Sequence, residues 1–63
     1  MAVSDEVITK IIAELWRGSN QLPPPNTATR VGQIIENYLA GKPPDRKNDI
    51  FQRNVIRLYE QFK

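Results

Sequence analysis

The chain contains no cysteine and no histidine, and only three glycines and one tryptophan in 63 residues. Without cysteine there is no disulfide framework and no thiolate metal site. Without histidine the commonest general base and metal ligand is missing as well. A catalytic site would have to rest on carboxylates, lysine, tyrosine or serine. The close acidic pairs Asp5–Glu6 and Asp45–Asp49 stand at expected helix starts, where the helix dipole accounts for them. None of the glycines belongs to a G-x-G-x-x-G or G-x-x-x-x-G-K phosphate loop, and Gly41-Lys42 runs straight into two prolines. The expectation is a non-enzymatic chain with no metal and no cofactor.

Long apolar runs are also missing, and no stretch approaches the roughly 20 residues of a membrane helix. The start, MAVSDEV, is acidic and lacks the basic and apolar regions of a signal peptide. Cytoplasmic residence is the resulting expectation. Net charge is +2, unevenly spread. Residues 1–41 carry Lys10, Arg17 and Arg30 against Asp5, Glu6, Glu14 and Glu36, a net −1. Residues 42–63 carry Lys42, Arg46, Lys47, Arg53, Arg57 and Lys63 against Asp45, Asp49 and Glu60, a net +3. That tilt could steer a polyanion weakly but is no dedicated phosphate surface.

What is present is helical periodicity. Ser4 is a good N-cap, followed by Asp5 and Glu6. Val7, Ile8, Ile11, Ile12, Leu15 and Trp16 then recur at spacings of one, three and four, which puts them on one helical face. The stripe covers about half the cylinder, wider than one neighbouring helix needs. With Gly18 as a left-handed stop, the first helix is expected over about 5–17. After GSNQLPPPN, Asn26 or Thr27 caps a second helix, expected over 27–40. Val31, Ile34, Ile35, Tyr38 and Leu39 form its inner face, and Gly41 with Pro43 ends it. Gly32 sits inside that helix at about 1 kcal/mol relative to alanine, so a close neighbour is expected there. Asp45 or Asn48 caps a third helix, expected over 47–62, with Ile50, Phe51, Val55, Leu58, Tyr59 and Phe62 inward. The sequence therefore reads as an all-α single domain, a three-helix bundle or open array.

A chain this small consumes few apolar residues in one core. Val3, Val7, Trp16 and Ile56 exceed that need, and Ile56 points away from its helix's stripe. They suggest a protein-interaction module (adaptor, regulator or inhibitor) working through helix faces. Val7 and Ile11 of helix one would pair with their own copy in a homodimer, while Trp16 and Ile56 meet a protein partner. The alternative is a small DNA-binding regulator, because Arg46, Arg53 and Arg57 align along the third helix. Asp49 and Glu60 are spaced to neutralise Arg53 and Arg57 within that helix. Pro23-Pro24-Pro25 could dock in an aromatic-lined groove, but a rigid spacer accounts for it equally and is preferred.

Overall fold

Ser4 opens the first helix, its hydroxyl oxygen accepting from the Glu6 amide at 3.2 Å. A computed structural model describes residues 3–42 and 49–63 of the chain. The first helix, α1, spans Asp5–Leu15. It stops two residues before the expected end because the Arg17 amide bonds to the Glu14 carbonyl, three residues back, at 3.3 Å. Gly18 then turns the chain with φ +78°. The tightened last turn and left-handed glycine are a common way to satisfy orphan carbonyls.

The second helix, α2, spans Thr27–Leu39. Asn26 flanks it without making a side-chain cap bond. Thr27 makes the local anchor instead. Its amide and its hydroxyl both donate to the Pro24 carbonyl, at 3.1 and 2.7 Å, and the side chain is buried. At the far end the Lys42 amide reaches the Asn37 carbonyl at 2.9 Å and the Gly41 amide the Tyr38 carbonyl at 3.1 Å. With Gly41 at φ +79°, these bonds form a complete Schellman motif, as the Gly41 and Pro43 signals imply. The third helix, α3, spans Asp49–Phe62. The two alternative caps for it, Asp45 and Asn48, lie outside the described residues.

All three helix pairs are in contact. Ile11, Val31, Ile35, Val55 and Leu58 are enclosed in the core, one or two from each helix. Each large aliphatic side chain so buried contributes about 1.5–3 kcal/mol. Val3, Val7, Ile8, Ile12, Leu15, Ile34, Phe51, Tyr59 and Phe62 pack around them. The radius of gyration, 11.1 Å, is near the roughly 10.6 Å of a compact chain this long. The protein is thus a small all-α three-helix bundle, and the described residues contain no strand.

Two contacts fix the direction of α3. The Arg30 guanidinium lies over the Phe51 ring, 5.0 Å from its centroid. Tyr38 meets Tyr59 edge-to-face at 6.4 Å and 76°. In each helix the second contact residue follows the first by eight positions, about 12 Å of rise. α2 and α3 therefore run the same way, and both begin at the same end of the molecule.

The width of the α1 stripe has an internal explanation, since α1 packs against both other helices. Gly32 does have a close neighbour, the Ile8 Cδ1 atom, which would lie 3.4 Å from an added Cβ. It is the tip of a side chain of the same molecule and not a second copy's backbone. Three residues expected on inner faces are exposed: Tyr38, Leu39 and, most of all, Ile50 at 79%. Ile50 lies roughly 110° around α3 from the mean direction of Phe51, Val55, Leu58 and Phe62 at 100° per residue. Leu39 and Ile50 also occupy helix ends, where neighbours cover less.

Candidate functional site

Of the four apolar residues expected to meet partners, two belong to the fold. Ile11 has 0% of its surface exposed and is a central core residue, so the α1 face expected to pair with its copy does not present it. The reason is that α1 has two neighbours, and Ile11 lies between them. Val7 is half-buried and packs against the core. Trp16, the C-cap of α1, and Ile56 are half-buried without joining the core cluster.

The arginine stripe also divides. Arg46 lies outside the described residues. Arg53 and Arg57 are exposed on α3. The spacing that would let Glu60 pair with Arg57 is not used. One Glu60 oxygen, Oε1, accepts from the Lys63 ammonium at 2.9 Å, and the other, Oε2, accepts from the Tyr38 hydroxyl at 3.0 Å. Arg57 makes no ion pair among the described residues. The hydrogen bonds from Lys63 and then Tyr38 hold the Glu60 carboxyl below its ordinary 4.5. The same contacts raise Tyr38 above 10.0, first through its hydrogen bond to Glu60, and Lys63 above 10.5 for the same reason.

Sequence reasoning missed the two most exposed large aliphatics. Leu22 stands 90% exposed beside Pro23, and Ile50 is 79% exposed in the first turn of α3. Leu22 lies in the segment feeding α2, and α3 starts at that same end. The signal for Leu22 was available: it is an isolated apolar residue in a loop, outside any periodic stripe. The signal for Ile50 was its offset around the helix.

No group of three or more acidic residues gathers as a metal site among the described residues. No helix among them is long and apolar enough to cross a membrane. By fold, the chain is a small three-helix domain whose surface features are apolar side chains and arginines. No protein-family model, curated protein or solved structure matches it.

Proposed function

We propose that the chain is a non-enzymatic protein-interaction module, an adaptor, regulator or inhibitor that binds a protein partner. The observation that carries this reading is a pair of exposed large aliphatics, Leu22 in the segment before α2 and Ile50 in the first turn of α3. Leu22 and Ile50 keep 90% and 79% of their surface in water, while the core is completed without them. Single exposed apolar residues are common. Here two of them stand almost wholly in water, and burying either on a partner contributes about 1.5–3 kcal/mol. Trp16 and Ile56 remain secondary candidates because neither is used by the core. A homodimer paired through Ile11 is not part of this proposal, because that side chain is enclosed in the core.

The test is photo-crosslinking in the cells that make the protein, with the reactive residue at position 50 of the full chain. A discrete heterologous product is expected from position 50 and not from position 36, an exposed site on α2. Equal labelling from both, or none from position 50, overturns the reading.

Arg57, exposed and without an ion pair among the described residues, favours duplex DNA as the second reading. Phosphate contacts make affinity fall steeply with salt. Tight duplex binding at physiological salt, abolished by Arg53→Ala with Arg57→Ala, would establish it in place of the first.

A further inference from the structure

Ile50 does not stand alone on its side of α3. At 100° per residue, Arg57 lies about 20° and Arg53 about 60° around the helix from it, in the same sense. All three are exposed, Ile50 at 79%. We infer that this strip docks an acidic segment of the protein partner, with an apolar side chain seated on Ile50 and carboxylates on the two arginines. The inference rests on the interaction-module reading and adds the chemistry of what covers Ile50.

Charge decides the sign of the occupant. Residues 50–63 carry Arg53, Arg57 and Lys63 against Glu60, a net +2. Glu60 has both oxygens engaged, Oε1 by Lys63 and Oε2 by Tyr38. Arg57 makes no ion pair among the described residues. The carboxylate that spacing offers it is committed elsewhere, and a carboxylate from outside fits the place. A guanidinium takes a carboxylate through two parallel, charge-assisted bonds, among the stronger contacts a surface can make. A basic segment would be repelled.

The apolar member of the strip decides between a protein and a nucleic acid. Duplex DNA is held by many cations set against phosphates, and phosphates offer an isoleucine no apolar contact. The strip presents two arginines over about 10.5 Å of helix, with Ile50 at its end. Arginine stems are themselves apolar, so an amphipathic segment finds apolar contact and charge partners side by side. Protein interfaces combine an apolar centre with arginine anchors in this way.

The experiment carries the crosslinking from position 50 of the full chain one step further, by sequencing the linked fragment by mass spectrometry. The fragment should hold at least two aspartates or glutamates within about two helical turns of the linked residue. Arg57→Gln should cut the yield about tenfold or more, the scale of a charged hydrogen bond. Arg17→Gln, a neutralised arginine beyond the end of α1, should leave it unchanged. Both variants should melt with the wild type, because both side chains are exposed. A linked fragment without acidic residues overturns the inference while the interaction reading stands. So does a yield that neither Arg53→Gln nor Arg57→Gln lowers. No product from position 50 removes both, and a nucleic-acid adduct there replaces both with the duplex reading.

Discussion

The Tyr38 hydroxyl donates to Glu60 Oε2 at 3.0 Å, a side-chain hydrogen bond that ties α2 to α3 near their C-terminal ends. Lys63 completes the group from one turn further along α3. The three shifts have definite consequences for pH. Glu60 is held below 4.5, so its contribution is present above that value and disappears as pH falls through the lowered one. Tyr38 and Lys63 are raised above 10.0 and 10.5, so theirs are present below those values and are lost as pH rises through the raised ones. Ultraviolet titration should find the Tyr38 phenol ionising above 10.0, and Glu60→Gln should bring it back toward that value. A Tyr38 midpoint unmoved by Glu60→Gln would show that the hydrogen bond is not maintained in solution.

The core predicts a graded series. Ile35 and Leu58 are 0% and 3% exposed, and truncating either to alanine should cost about 2–5 kcal/mol, enough to unfold much of a domain this small. Leu15 is only half-buried, so Leu15→Ala should cost clearly less. Urea denaturation followed by far-ultraviolet dichroism gives the order. Leu15→Ala melting below Ile35→Ala would contradict the packing described.

Gly32 offers a change in the other direction. A methyl group there would meet the Ile8 Cδ1 atom at 3.4 Å, ordinary contact with a flexible tip. Gly32→Ala should therefore recover most of the helix propensity that glycine forfeits, raising stability by about 0.5–1 kcal/mol. Gly32→Leu has no such room and should destabilise.

Thr27→Val tests the anchor of the proline loop. Valine keeps the shape of the buried side chain but removes the 2.7 Å bond to the Pro24 carbonyl. The carbonyl still receives the Thr27 amide, so the expected loss is that of one hydrogen bond, about 0.5–1.5 kcal/mol. Thr27→Ser, which keeps the hydroxyl, should lose less than Thr27→Val if the bond dominates.

Self-association gives a sharp outcome as well. With Ile11 enclosed and α1 packed on two neighbours, sedimentation at micromolar concentration should report a 7.3 kDa monomer. Its melting temperature should not depend on concentration. A dimer mass with a rising melt would restore a two-fold contact, necessarily through surfaces other than Ile11.

Much of this fold was legible before the structure, and the boundary of legibility is physical. Ser4, Gly18 and Gly41 announce their caps because each role demands a particular hydroxyl or backbone freedom. Val31, Ile35, Val55 and Leu58 follow from spacing alone. Spacing gives the angle of an apolar face and says nothing about what lies opposite, so the shared direction of α2 and α3 could not be read. Nor could the choice made by Glu60. Arg57 and Lys63 are both three residues away, and the deciding partner, Tyr38, comes from another helix. At the candidate site, periodicity picked Val7 and Ile11, which the core uses, and passed over Leu22 because loops have no period.

The common direction of α2 and α3 gives the molecule an electrical polarity. In antiparallel neighbours the peptide dipoles largely cancel, whereas here they add. About half a positive charge from each helix gathers where they start, and about half a negative charge where they stop. Tyr38 and Lys63 lie at the negative pole, and the Lys63 ammonium sits there as a counter-charge. Like poles held side by side repel weakly, within the end turns alone, and salt screens that repulsion.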